Sequence, residues 1–407
     1  MKKIYLDHSA TTPLDKNVLK AMGPYFTEKF GNPSSLHSYG QEALAGIEKA
    51  RRQTAEFLNC SPDEIIFTSG ATESDNLAIK GLVRALKKKM PKPHIITSLI
   101  EHKAILEPCL ELEKEGAEAT YLGVNKSGAV SVEDLRAKIK DNTVLVSIMY
   151  INSEVGCAEP IREIGKVIKK INEKKFKEWN NKKASERGER PQKIYFHTDA
   201  TQAVNFFNCD VKWNYLDLLS LSGHKIYGPK GVGALYLNKE VPFKAMQVGG
   251  GHEQNRRSGT LNAPGIVGLG AALSQLTKKS TERNNKKIAR LRDLLVQGIM
   301  ENIDDVILNT DRNIATPAHA HFSFLGVEGE AILISLDLAG IAVSTGSACA
   351  SGNLKPSHVL LAMGIKPEVA HNSIRFTLGK QTTEEEIRRV IKILPPIIKR
   401  LRLMAPK

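Results

Sequence analysis

Short apolar runs alternate along the chain with longer segments in which apolar residues recur every three or four positions. The runs are rich in Ile, Val, Leu and Thr and have the length of buried strands, whereas the longer segments have the period of a helix. The predicted strands are 64–68, 94–97, 143–149, 194–199 and 217–221, and the clearest predicted helices are 75–89 and 103–115. Because near-continuous apolar strands are typical of sheets covered on both faces, we predict an α/β fold with a mostly parallel mixed sheet between helices.

A change of pattern near residue 263 divides the predicted fold. A long helical stretch from 266 to about 302 leads out of the first part, and an α+β pattern follows it. The N-terminal residues are too few to fold alone and are expected to pack on the C-terminal part. We therefore predict a large domain over 15–262 and a smaller α+β domain formed by 1–14 and 263–407.

Composition supports a globular, cytoplasmic protein of two domains. The chain has 407 residues, of which 41% are hydrophobic and 25% charged, and this is ordinary for a folded protein. The start lacks a secretory apolar core, and the sequence has no run of about 18 apolar residues, so no membrane association is expected. The five cysteines are too widely spaced for a metal site or a disulfide framework, so we predict free thiols and no intrinsic metal.

The net charge of +14 is concentrated in one segment. Residues 166–193 carry 11 Lys and Arg against 4 Glu, a difference of +7 and half of the excess. Such a run is typical of a solvated helix face, and an acidic partner is the other interpretation. Direct nucleic-acid binding is not expected.

Two strand ends carry candidate ligand-binding groups. Ser69 to Ser74 lies between a strand and a helix, where backbone N–H groups can hold a phosphate, although Ser and Thr there are also ordinary helix caps. Asp199 ends a buried strand at the edge where α/β folds bind ligands. Its carboxylate suits either the protonated nitrogen of a pyridine cofactor or a structural salt bridge.

Lys225 follows the next strand, in the sequence Ser222-Gly223-His224-Lys225. Most single lysines in loops are surface charge. Here small neighbours would let a ring approach the backbone, and Ser222 and His224 could donate hydrogen bonds to a phosphate. We therefore predict that Lys225 forms an imine with an aldehyde cofactor.

Three further residues have side chains suited to the same chemistry. His102 follows a strand and could stack on a ring or transfer protons. Cys349 lies in a small, polar stretch, 344–358, which suits an exposed thiolate nucleophile. Arg375 interrupts an apolar strand, so it is expected to bind a substrate carboxylate or to form an ion pair between domains.

These motifs closely resemble those of cysteine desulfurases of the NifS/IscS type, in the class V aminotransferase family of fold-type I pyridoxal-phosphate enzymes. The resemblance spans nearly the whole chain. The motifs that carry it are Tyr5 to Pro13, Phe30 to Pro33, Thr68 to Lys80, Ser222 to Gly233, Gly249 to Glu253, Arg257 to Thr260 and Gly346 to Cys349.

The resemblance implies pyridoxal 5'-phosphate as cofactor and a homodimer that converts L-cysteine to L-alanine. Lys225, Cys349 and His102 would be catalytic, and Asn32 and Arg375 would bind the substrate. The residues expected to contact the cofactor are Ala71, Thr72, His102, Asn152, Ser153, Asp199, Gln202, Ser222, His224, Lys225 and, from the neighbouring subunit, Thr260. A persulfide on Cys349 would pass to an iron–sulfur scaffold protein or a tRNA-thiolation factor, and Cys349 could transiently ligate a cluster with the scaffold.

The chain departs from this family pattern at two places. Relatives typically have two asparagines before Glu154, but this chain has Asn152 and then Ser153, so Ser153 stands at the usual cofactor-contacting position. The basic segment 172–193 looks like an insertion without an assigned role. Two other functions stay open: a selenocysteine lyase or other sulfur lyase on the same fold, and an RNA-binding or scaffold protein that uses the basic insertion.

Overall fold

The computed structural model describes residues 3–183, 185, 187–345 and 356–404 of the chain. The strands are β1 (Ile4–Tyr5), β2 (Ile65–Thr68), β3 (His94–Ser98), β4 (Glu118–Leu122), β5 (Thr143–Ser147), β6 (Tyr195–Asp199), β7 (Leu218–Ser222), β8 (Gly233–Leu237), β9 (Val306–Leu308), β10 (His319–Phe324), β11 (Ile341–Ala342) and β12 (Ser373–Thr377). The helices are α1 (Lys16–Met22), α2 (Pro24–Thr27), α3 (Ser38–Leu58), α4 (Ala71–Leu86), α5 (Lys103–Lys114), α6 (Val132–Lys138), α7 (Ile161–Asn180), α8 (Ala263–Ser274), α9 (Lys278–Asn302), α10 (Gly329–Leu338), α11 (His358–Ala362), α12 (Pro367–His371) and α13 (Glu384–Met404).

The larger sheet has, within those residues, seven strands in the order β2-β8-β7-β6-β5-β3-β4. The pairs from β7 to β4 are parallel, whereas β8 runs antiparallel to both of its neighbours. The sheet is therefore mostly parallel and mixed, as the sequence predicts. The carboxyl ends of β3, β5, β6 and β7 meet at one edge.

Both faces of this sheet are covered by helices, which explains the near-continuous apolar strands. Alternate residues of β2 enter different cores: Ile66 packs with α4 and α5, and Phe67 packs with α3, α7 and α8. Phe67 and Phe196 are almost completely buried. Burial of each such side chain contributes about 1.5–3 kcal/mol, so the strand positions are fixed by the core on each side.

A second unit is built on an antiparallel sheet in the order β12-β10-β9. Helices α9, α10 and α13 pack against it around Phe322, Phe324 and Phe376. The N-terminal residues join this unit, since β1 pairs in parallel with β11 and both Ile4 and Leu6 are buried in its core. The N-terminal stretch therefore packs on the C-terminal part of the chain.

The predicted helix from 266 to 302 is two helices. Helix α8 ends before a break at 275–277, and α9 begins after the N-cap Thr277. The buried residues of α8, including Ile266 and Leu269, belong to the core of the large domain. The boundary between the two cores therefore lies between α8 and α9, and not at the predicted position near residue 263.

Helix α7 explains much of the concentrated positive charge. Ile161, Ile164 and Ile168 face the core, while the lysines at 166, 169 and 170 are exposed, and Lys169 pairs with Glu173 at 3.7 Å. The first part of the basic segment thus forms the solvated face of an amphipathic helix. Among the helices of the described ranges, each is too short or too polar to cross a bilayer.

Candidate active site

The carboxyl ends of the parallel strands open into a cavity of about 700 Å³. This is the sheet edge at which the sequence predicts a ligand. Of the predicted site residues, those that line the cavity are Ala71, Thr72, His102, Ser153, Asp199, Gln202, Ser222, His224, Lys225 and Arg375. Residues more than 300 positions apart in sequence are therefore brought to one place by the sheet edge and the second unit.

One wall of the cavity has the geometry of an anion site. Gly70 has φ = 155° and precedes α4, a helix of 16 residues whose first turn points its backbone N–H groups at the cavity. Glycine is favoured at this position by its φ value, which L side chains rarely adopt, and Ser222 Oγ lies nearby, 4.0 Å from where a Cβ of residue 70 would stand. The N-terminal end of the helix dipole and a neighbouring hydroxyl together favour a phosphate.

Lys225 is placed by a 3-10 turn, Gly223–Lys225, directly after β7. A Cβ at Gly223 would lie 2.8 Å from Pro229 O, so this turn requires glycine. Lys225 Nζ donates hydrogen bonds to Ser9 O and, at 2.8 Å, to Ala10 O. The amine therefore projects into the cavity and is held by backbone carbonyls that carry no formal charge.

His224 lies beside Lys225 and is held by the N-terminal segment. Burial, together with the positive charges of Lys225 and Lys230, lowers the pKa of His224 to about 4. Its Nδ1 lies 3.1 Å from Thr11 Oγ1. The imidazole is therefore neutral at pH 7 and has one N–H to donate to a neighbouring oxygen.

Asp199 closes the floor of the cavity and is itself buried. Its Oδ1 accepts a hydrogen bond of 2.9 Å from the backbone N–H of Thr201. Behind it, Asp75 is fully buried, and burial together with the Asp199 charge raises the pKa of Asp75 well above its usual value. A neutral Asp75 adds no second negative charge, so the floor presents a single carboxylate.

His102 caps the start of α5 and lines the cavity. Its Nδ1 accepts a hydrogen bond of 3.1 Å from the backbone N–H of Ala104. Burial lowers the pKa of His102, while the Asp199 carboxylate acts in the opposite direction. The neutral ring therefore carries its proton on Nε2, which leaves this atom as a hydrogen-bond donor.

Arg375, on β12, carries positive charge into the same cavity. Its Nη2 donates to Asp7 Oδ1 at 2.7 Å and its Nη1 to Ser153 O at 2.9 Å. The buried Nε lacks a hydrogen-bond partner among the described atoms. The guanidinium thus pairs with a carboxylate of its own unit rather than with one across the domain boundary, because Asp7 lies next to Thr377 in the second unit.

Asn152 does not line the cavity, so its predicted cofactor contact stays a prediction without support from this geometry. Its side chain is buried in the turn after β5, where it donates to Ile100 O and accepts from the N–H groups of Glu154 and Val155. An amide that closes a turn in this way points away from the sheet edge. Ser153, the next residue, lines the cavity instead.

Two other predicted site residues lie elsewhere, and a third is not among the described residues. Asn32 and Thr260 are exposed and do not line the cavity of the single chain. Their segments are in contact with each other, since Ser34 Oγ lies 3.4 Å from His252 Nε2. Cys349 lies outside the described residues.

The N-terminal segment 7–11 lines the cavity, although residue-by-residue reasoning assigned it no role. Besides the contacts with Lys225, His224 and Arg375, Ser9 O accepts from Gln202 Nε2 at 2.9 Å. Ser9 Oγ also donates to Ser153 O. The motif from Tyr5 to Pro13 is the only sequence signal for this segment. Its contacts are made by backbone carbonyls, which every residue type possesses.

The four described cysteines have the properties of structural thiols. Burial raises the pKa of Cys60, Cys109 and Cys209 to about 12 and raises that of Cys157 further. Each thiol therefore stays protonated at neutral pH, and a protonated thiol is a poor nucleophile.

Comparison with known proteins adds independent information. Residues 4–176 and 182–390 match the family model "Aminotransferase class-V". The chain is 47% identical over 407 residues to a protein of Clostridium botulinum (strain Hall) named cysteine desulfurase IscS, covering 100% of this chain and 96% of that protein. A solved structure titled "NifS-like protein" superposes with a TM-score of 0.88 at 36% identity, covering 98% of this chain and 100% of the other. A second, titled "SspA in complex with cysteine", has a TM-score of 0.77 at 35% identity and covers 93% and 100%.

Proposed function

Because this chain belongs to the class-V aminotransferase family and is a cysteine desulfurase, we propose that it binds pyridoxal 5'-phosphate covalently through Lys225 and transfers sulfur from L-cysteine to Cys349. The observation that carries the proposal is one cavity in which an amine, a buried carboxylate and a helix N-terminus meet. These are the three groups that an aldehyde, a pyridine nitrogen and a phosphate require.

The cavity fits this cofactor in size and in donor set. The start of α4, with Ala71 and Thr72, would hold the phosphate together with Ser222 and the neutral His224. Asp199 would face the ring nitrogen, and Gln202 and Ser153 would border the ring. When bound, the cofactor supplies a ring that accepts the electron pair released from the substrate Cα.

Each protein group has a defined task in the reaction. Arg375 binds the carboxylate of L-cysteine through its planar pair of N–H donors. Lys225, once free of the cofactor, takes the proton from the substrate Cα. His102 offers its Nε2–H near the reacting atoms and shares in later protonation.

Sulfur transfer follows from attack of the Cys349 thiolate on the substrate sulfur. A sulfur–sulfur bond forms, the carbon–sulfur bond of the substrate breaks, and the carbon gains a proton. The products are L-alanine and a persulfide on Cys349. Iron–sulfur scaffold proteins and other sulfur acceptors are the proposed recipients of this persulfide.

Incubation of the purified, cofactor-loaded protein with L-cysteine tests the proposal. We expect alanine to appear together with one added sulfur atom on the peptide that contains Cys349. Amino-acid analysis and peptide mass spectrometry measure the two products. Alanine formation with the extra sulfur on another peptide, or on none, would contradict the assignment of Cys349.

A homodimer is proposed from the surface around Asn32 and Thr260. Leu36 is 94% exposed and Val248 is 83% exposed, and they lie on the two segments that meet at Ser34 and His252. Two large apolar side chains exposed on adjoining segments form a patch of the kind that marks an interface, whereas a single exposed apolar residue does not. A partner subunit seated there would bring its Thr260 to the phosphate of this cavity.

Charging this surface is expected to separate the subunits. Leu36→Glu combined with Val248→Glu should reduce the mass measured by light scattering from twice 44.8 kDa to once 44.8 kDa, because a desolvated charge is costly. Cofactor affinity should fall about tenfold, because separation of the subunits removes the proposed hydrogen bond from Thr260 of the neighbouring subunit to the phosphate. Leu338→Glu, at an equally exposed leucine of α10, is the control that should leave the dimer intact. A double variant that stays dimeric would refute this interface.

A further inference from the structure

The chain returns from the Cys349 segment at a buried contact with the active site. Ser357 Oγ donates a hydrogen bond of 2.5 Å to Glu154 Oε2 and accepts one of 3.2 Å from the backbone N–H of Leu360. Both Ser357 and Glu154 are buried. The adjacent His358 Nε2 lies 3.0 Å from Glu101 O, directly before His102. Two consecutive residues are thus attached to the loops that follow β5 and β3.

Glu154 belongs to the turn that borders the cavity. Asn152 closes this turn by accepting from the N–H of Glu154, and Ser153 O accepts from Arg375. The Ser357–Glu154 hydrogen bond therefore ties the returning chain to this turn, while Arg375 is held separately by Asp7 and Ser153 O. Burial raises the pKa of Glu154 to about 7, whereas Ser357 and Arg375 lower it, so either protonation state retains an oxygen that accepts from Ser357.

The chain enters the segment from an equally fixed point. Ser344 lines the cavity and exchanges backbone hydrogen bonds with Arg375, at 2.7 and 3.3 Å. Cys349 stands five residues after Ser344 and eight before Ser357 in the sequence. An extended chain spans at most about 3.6 Å per residue, so five and eight residues can reach at most about 18 Å and about 29 Å from the two anchors.

We propose that Glu154 and Ser357 are positioning residues for the nucleophile: their hydrogen bond fixes where the chain carrying Cys349 returns to the active site. This inference rests on the proposed function. Anchoring both ends of a short segment raises the local concentration of the thiol at the substrate. The bond therefore affects attack on sulfur and leaves cysteine binding and Cα proton removal unchanged.

Ser357→Ala tests the inference in the cofactor-loaded enzyme. Val359 and Leu360 are buried, so α11 is expected to remain folded. After rapid mixing with L-cysteine, the absorbance change of the bound cofactor reports binding and proton removal, and quenched peptide mass spectrometry reports sulfur on Cys349. We expect the rate of the absorbance change to stay within twofold of the wild-type rate. The rate of sulfur transfer to Cys349 should fall about tenfold.

Two further variants separate positioning from simple capping of a helix. Ser357→Thr keeps a hydroxyl and should restore sulfur transfer to within about threefold. Ser131→Ala removes the same kind of cap from α6, where Ser131 Oγ accepts from the N–H of Asp134 at 3.1 Å, and should change neither phase. Ser357→Ala that slows both phases equally, or neither, would overturn the positioning role. A wild-type enzyme that puts no sulfur on Cys349 would instead overturn the proposed function and this inference with it.

Discussion

Replacement of Lys225 by alanine is expected to abolish alanine formation from L-cysteine, with a decrease of at least about 10³-fold. The amine would be lost both as the attachment of the cofactor and as the base that takes the Cα proton, and a positioned base alone contributes about 10²–10⁴-fold. Steady-state alanine production gives the decrease. Borohydride reduction followed by peptide mapping should attach the cofactor to the Lys225 peptide in the wild type only.

Lys230→Ala is the matched control for this prediction. Lys230 lines the same cavity but is exposed and follows the glycine turn. Its removal should lower phosphate affinity modestly and leave the reduced, covalently labelled Lys225 peptide in place. Covalent labelling of any other lysine in the wild type would place the cofactor elsewhere and contradict the assignment of the whole cavity.

Cys349→Ser is expected to end sulfur transfer while the protein still binds its cofactor and L-cysteine. A serine hydroxyl is not ionised at neutral pH, so it cannot attack the substrate sulfur as a thiolate does. The persulfide should fall below detection, a loss of more than about 10³-fold if nucleophilic catalysis is the only route. The absorbance change on addition of L-cysteine should be retained.

This substitution also distinguishes the desulfurase from a lyase on the same fold. A selenocysteine lyase or sulfur lyase would release its product without Cys349, so sustained turnover of the serine variant would favour that function. Cys60→Ser is the control, because burial raises the pKa of the Cys60 thiol to about 12 and keeps it unreactive. Both products should form at the wild-type rate in this control.

Much of the cavity was predictable because the ends of parallel strands meet by construction. Asp199 and Lys225 each follow a strand, and strand ends at one edge of a parallel sheet converge whatever the loops do. The types of these two residues then decide the chemistry, since a buried carboxylate and a lysine in a turn of small residues each need a group that satisfies their charge. The residues predicted from these rules are the ones that line the cavity.

The features that sequence reasoning placed differently or missed depend on details that periodicity encodes poorly. Asn152 and Ser153 are neighbours, and only the turn geometry decides which one faces the cavity. The N-terminal segment acts through backbone carbonyls, which every residue possesses. The break between α8 and α9 leaves only an indirect signal, since residues 277–287 contain no apolar side chain while the buried faces on either side join different cores.

The guanidinium of Arg375 is already neutralised by the carboxylate of Asp7 before any ligand binds. If Arg375 binds the substrate carboxylate as proposed, that carboxylate would have to replace an anion that the chain already provides. Such an exchange would release less free energy than binding to an unpaired arginine, because Asp7 would give up its own partner. The arrangement therefore favours rapid release of the product amino acid over tight retention.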